Sequence, residues 1–276
     1  MSLTSRFSKL DPKVLYLLVF IVVAAPLIRP IQLPILVSQY TQLFYNQVDS
    51  LKPGSIVLVS FSFAAAKTYE IYPQIVGATE QLMSKKASMV FVSWLAEDTP
   101  FSGRLFADLS FEGRGLKYGA DYVDLGFIAG GATGMAAFAR DPQKILGADA
   151  RGTPIGNLAL MTKIKSASDF NLLISFISIQ MEDFIGQIQT PYKLPLIVGT
   201  DGVSFAGILP YLGSGQIKGI LNTTVGAAEY EKLLKIPGKA TSYMDAQQMA
   251  HFLMIVSIIL GNLVLLVEWT KRRKRP

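Results

Sequence analysis

The 276-residue chain has no cysteine and a single histidine, His251. The first absence excludes disulfides, thiol catalysis, cysteine-ligated zinc and iron–sulfur clusters, so packing alone must hold the fold together. The second leaves no histidine metal site and only one candidate base for a Ser-His-Asp hydrolase; a carboxylate site for Ca²⁺ or Mg²⁺ stays open. Charge is scarce in three stretches. Residues 14–28, 252–267 and 30–48 carry none.

Where charge is present, it gathers at the ends. The net charge is +6, the closing "KRRKRP" holds five positive residues, and residues 1–13 carry Arg6, Lys9 and Lys13 against Asp11. Everything between is therefore close to neutral, and the sequence pI near 9.3 belongs to the tails rather than to a nucleic-acid surface. A basic tail has a second reading, as a nucleic-acid arm. A five-charge run that abuts an apolar stretch is more simply a topology signal.

The apolar runs "VLYLLVFIVVAAPLI" and "FLMIVSIILGNLVLLV" raise the mean hydropathy to +0.37. Each is a little short of the ~20 residues that cross a bilayer core, but Lys13, Arg29, Trp269 and Lys271 extend the effective span. The first run also has the layout of a cleaved secretory signal. Pro26 directly after Ala24 and Ala25 is a poor residue to follow a cleavage site, which favours an uncleaved anchor. Basic flanks stay cytoplasmic, so the expectation is a cell-membrane protein with two spans, residues 14–30 and 245–269. Residues 1–13 and 270–276 are then cytoplasmic, and the rest is extracytoplasmic.

"PILVSQYTQLFYNQVDSL" places Leu36, Tyr40, Leu43, Phe44, Val48 and Leu51 on one side of a helix and amides on the other. It reads as an amphipathic linker, residues 31–51. A solvated face normally carries Lys and Glu, so this uncharged one predicts contact with the membrane surface or a neighbouring subunit through Gln39, Gln42, Phe44 and Asn46. The alternative is a stalk packed on its own domain.

From residue 52 to about 240 the pattern alternates. Strands are expected at "PGSIVLVSFSF", "SMVFVSWL", "DYVDLGF", "FNLLISFIS" and "LPLIVGT", with helices between them, one beginning at Pro73, and helical material from the last strand to Leu234. This predicts an α/β fold with a mostly parallel, doubly wound, Rossmann-like sheet. Ligands bind such sheets where strands end, which selects Lys67, Glu70, Glu97, Asp98, the Gly130–Gly131–Gly134 turn, Glu182, Asp183, Asp201 and Ser204.

Two motifs there are near-matches. "GGATG" follows the third expected strand, whereas a dinucleotide fingerprint follows the first and a P-loop needs Gly-Lys-Ser/Thr; a structural turn is the simpler reading. "GVSFA" departs from the nucleophile elbow in its last residue and lacks a suitable histidine, leaving a Ser–Lys pair built on Ser60, Ser62 or Ser204 with Lys67. Ser204 also suits a helix start. The sequence calls for no cofactor. In "MDAQQMAHF", Asp245 and Gln248 have capping-box spacing at the start of the second span, where His251 would be an interfacial anchor and Asn262 a span-to-span contact.

The order of an N-terminal span, an α/β region with "DYVDLGF", "YLGSGQIKG" and "GAAEYEKLL", and "MDAQQMAHF" opening a last span resembles an uncharacterised family of prokaryotic two-span membrane proteins. The resemblance implies an extracytoplasmic α/β domain and no activity. The residues themselves support a structural or assembly subunit that self-associates or joins a membrane complex. Against it stands a small-ligand binding module or Ser–Lys hydrolase at the strand ends.

Overall fold

A computed structural model describes residues 11–179 and 181–273. The chain divides into two compact units, Leu36–Ile236 and the flanking segments up to Ile35 and from Pro237.

Leu36–Ile236 is an α/β unit built on six strands: β1 (Ile56–Ser62), β2 (Ser88–Ser93), β3 (Tyr122–Phe127), β4 (Leu172–Ile177), β5 (Leu196–Thr200) and β6 (Ile217–Asn222). All pairings are parallel and the order is β3-β2-β1-β4-β5-β6, that of a Rossmann-like doubly wound sheet. The strands are near-continuous apolar runs because both faces are covered. Val57, Val59 and Phe61 of β1 enter one core with α2 (Gln39–Asp49), α3 (Thr68–Ser84), α4 (Thr99–Asp108) and α9 (Thr223–Leu234). Leu58 enters the other, with α5 (Gly131–Arg140), α7 (Met181–Phe184) and α8 (Phe205–Gly213), while the short α6 (Pro142–Ile145) links α5 to a long loop before β4.

Both sheet edges are protected. At β3, Ala150 N donates to Asp124 O at 2.9 Å and Gly119 N to Tyr122 O at 2.8 Å. Over β6 lies α2, so close that a Cβ on Gly219 would come within 2.3 Å of Phe44 N. The expected linker helix is therefore a layer of the α/β unit, and Phe44 is fully buried with its ring edge-on to Tyr230, 5.3 Å between centroids.

Three expectations need correction. The segment after β5 is not all helix, since it contains β6. Its Lys218 side is exposed and Gly219 stands where a larger apolar residue would signal a strand, so the run "IKGILN" carries little β pattern. Helix α3 begins at Thr68, not Pro73: proline inside it leaves only one backbone acceptor near the helix start without its usual donor. Asp245 does not cap a helix, because α10 (Lys239–Arg273) already runs through it. Instead its carboxylate, 1% exposed, accepts the backbone N–H groups of Ile31, Gln32 and Leu33 at 2.7–2.8 Å.

In the second unit, α1 (Pro12–Ile28) packs along α10. Residues 239–267 of α10 form a helix long and apolar enough to cross a membrane, and Phe252, Ile255, Ile258 and Leu265 point outward from it. Helix α1, apolar from Val14 onward but with 17 residues in all, is shorter than that length.

Candidate functional site

In a sheet of this order the chain winds one way from β1 to β3 and the other way from β4 to β6, opening a crevice beyond the carboxyl ends of β1 and β4. Here Ser178, just after β4, laces the crevice. Its N–H donates to Ser62 O at 2.9 Å, its Oγ accepts from Ala64 N at 3.0 Å, and its carbonyl accepts from Ser204 Oγ at 2.9 Å.

Lys67, Glu70, Asp201 and Ser204 do converge beside it. Lys67 Nζ lies 3.7 Å from Asp201 Oδ1 and 3.9 Å from Glu70 Oε1. The buried Asp201 carboxylate accepts from Val203 N at 2.8 Å and Ser204 N at 3.1 Å, and Glu70 Oε2 accepts from Gly202 N at 3.0 Å. Both carboxylates are thus committed to shaping the β5–α8 turn. Ser204 stands at the start of α8, but the turn is capped by Asp201, since the Ser204 hydroxyl is directed to Ser178 O and Asp201. A serine nucleophile needs a base as its acceptor, and neither of these partners is Lys67. Ser60 sits inside the sheet, 3.1 Å from Ser175 Oγ, and accepts from Trp94 Nε1 at 3.2 Å. The electrostatics also run against a phosphate: two carboxylates face one lysine at the start of α3, where a helix N-terminus would otherwise favour an anion.

Gly130, Gly131 and Gly134 stand apart, after β3. Gly130 and Gly131 have φ of +103° and +51°, and a Cβ on Gly134 would fall 2.2 Å from Ala129 O. All three are required by the path of the chain alone.

Sequence reasoning missed one organiser. Gln74 of α3 is fully buried, and the two hydrogens of its Nε2 are shared among Thr200 O at 2.9 Å, Glu70 O at 3.0 Å and Thr223 O at 3.1 Å, tying α3 to the ends of β5 and β6. Gly199 makes room for it, since a Cβ there would meet Gln74 Oε1 at 2.5 Å. The signal in the sequence is a set of polar residues at helical spacing, Glu70, Gln74 and Gln81, on the buried face of one helix. Asp98, after β2, is also fully buried: its Oδ2 accepts from Phe63 N at 3.3 Å and its Oδ1 has no partner among the described residues. Burial, with repulsion from Glu97, pushes this carboxyl up to about 7 against the pull of the Phe63 N–H.

Around these paired polar groups the same edge exposes apolar side chains. Tyr69 after β1, Phe127 closing β3, Ile179 after β4, Val203 after β5 and Val225 after β6 are between 42% and 80% exposed. On α2, Gln39 and Asn46 are exposed and Gln42, half-buried, donates to Asn46 Oδ1 at 2.9 Å.

Fold and edge together define a Rossmann-like α/β protein whose switch point is closed by its own hydrogen bonds. No protein-family model, curated protein or solved structure matches the chain.

Proposed function

We propose that the protein is a membrane-anchored assembly subunit. Helices α1 and α10 hold it in the bilayer with both basic ends in the cytoplasm, and the α/β domain on the outer side packs against copies of itself or a partner complex. One observation carries this reading: the carboxyl edge of the sheet, where an enzyme of this fold would open a polar pocket, has its charged groups paired with one another and large apolar side chains turned to solvent. Apolar surface ringed by neutralised charge suits a protein contact rather than turnover. The ligand-handling alternative rests on the same Lys67, Glu70, Asp201 and Ser204; Glu70, Asp201 and Ser204 already hydrogen-bond within the turn they build, and Lys67 is held only by ion pairs at 3.7 and 3.9 Å.

The test is the mass of the particle extracted in mild detergent, with any co-purifying chains identified, for the native protein and for the double variant Ile179→Glu, Val203→Glu. The native particle is expected to exceed one chain and the variant, still folded, to be smaller. A monomeric native particle ends the assembly reading.

A further inference from the structure

Beside the first residue of β3, at the opposite end of that strand from the loops just described, lies an open cavity of about 400 Å³. Its lining includes Phe106, Ser110, Phe111, Glu112, Tyr122 and Arg151. The rings of Phe106, Phe111 and Tyr122 form a triad, each pair with centroids 4.8 Å apart. Tyr122 is wholly buried, yet its hydroxyl has no hydrogen-bond partner among the described residues. A buried hydroxyl left unpaired is costly, and one that lines a cavity is a docking point waiting for an acceptor. At the rim, the Arg151 guanidinium is stacked 3.6 Å over the Tyr118 ring, which fixes its position. Its nearest carboxylate, Glu112, is 3.9 Å away, too far for a hydrogen bond, and belongs to an exposed side chain. Burial pushes the Tyr122 hydroxyl above its ordinary pKa, Arg151 pulls it back and the Glu112 carboxylate adds to the rise, so guanidinium, phenol and carboxylate share one local field.

We infer that this cavity binds a small aryl carboxylate, its carboxylate held between the Arg151 guanidinium and the Tyr122 hydroxyl and its ring laid on Phe106 and Phe111. The guanidinium fork matches a carboxylate in shape. A phosphate dianion fits less well, because the cavity offers one cation and has Glu112 at its rim. A cationic ligand would face Arg151 directly. The volume is within the range of small-molecule sites. This site is separate from the carboxyl edge and holds whether or not that edge assembles.

The probe is 3-phenylpropionate, followed by ligand-observed NMR on the full chain in mild detergent, with 3-phenylpropanol as its uncharged counterpart and Arg151→Gln protein in the same detergent as the reference for micelle uptake. Native protein is expected to bind the acid saturably and the alcohol not at all. Arg151→Gln should lose about tenfold or more in affinity. Tyr122→Phe should lose several-fold while melting no lower than the native protein, because the hydroxyl it removes is unpaired. The proposal is overturned by absence of saturable binding up to millimolar acid, by equal binding to Arg151→Gln, by equal binding of the alcohol, or by a Tyr122→Phe protein that binds as before.

Discussion

Asp98 concentrates several physical effects in one side chain. Its carboxyl is out of water, one oxygen has no partner among the described residues, and its pKa rises from 3.8 to about 7. Between those values the folded protein binds a proton that the unfolded chain has released, so stability falls as pH rises through that window and is flat above it. A rise of that size sets a ceiling of about 4 kcal/mol on the loss. Asp98→Asn should remove this slope and melt higher than the native protein at pH 8, as read from thermal unfolding across a pH series; an unchanged slope would show that another group carries it. Gly219 makes the opposite case, where the side chain is missing for a reason. A methyl group there would press on the backbone of Phe44, which cannot yield as a side-chain tip can. Gly219→Ala is expected to cost roughly 3 kcal/mol, seen as a lower melting temperature. Neither role is legible in the sequence: Asp98 stands beside Glu97 and Thr99 in what reads as a polar turn, and Gly219 looks like a loop glycine.

At the scale of elements, the apolar periodicity of residues 36–51 is a true helix signal, but it cannot say which surface the stripe covers. Phe44 and Val48 cover β6, whose own pattern is interrupted by Lys218 and Gly219, so helix and strand hide each other's function in the sequence. The four central strands β2, β1, β4 and β5 are legible because burial on both faces makes them near-continuous apolar runs, and the edge strand β3 keeps enough of that pattern to be read. The convergence of Lys67, Glu70, Asp201 and Ser204 follows from that alternation. Their hydrogen bonds do not, since donors such as Gly202 N and acceptors such as Ser178 O leave no mark in residue type. The amide face of α2 keeps its proposed role as a contact through Gln39, Gln42 and Asn46. Gln39→Glu with Gln42→Glu places like charges across any symmetric contact and should shrink the detergent-extracted particle without unfolding it. An unchanged elution volume would remove this face from the interface.

At the scale of the molecule, the flanking unit has its own organisation. Asp245 is the joint within it. One carboxylate takes three backbone N–H groups from residues 31–33, with Gln32 held at φ +62°, a conformation that side chains rarely adopt. Charged hydrogen bonds of this kind are worth about 1.5–3 kcal/mol each, so Asp245→Ala leaves three donors to solvent and frees the segment, which faster hydrogen exchange at residues 31–33 would report. That joint fixes how the chain leaves α1, and most of the positive charge flanking α1 and α10 lies toward the chain ends, in residues 1–13 and 271–276, against Arg29 and Lys239 at the other ends. The proposed orientation, with both ends in the cytoplasm and the α/β unit outside, is the one the positive-inside rule assigns to those basic ends. Protease added to intact cells should then cut within residues 36–236 and spare an epitope placed after "KRRKRP". If α1 were instead removed as a secretory signal, the α/β unit would still be cut, but an epitope placed before Met1 would be lost from the anchored chain. An epitope after the basic tail that is destroyed while residues 36–236 survive would reverse the orientation, and would put the apolar carboxyl edge of the sheet in the cytoplasm with whatever it meets.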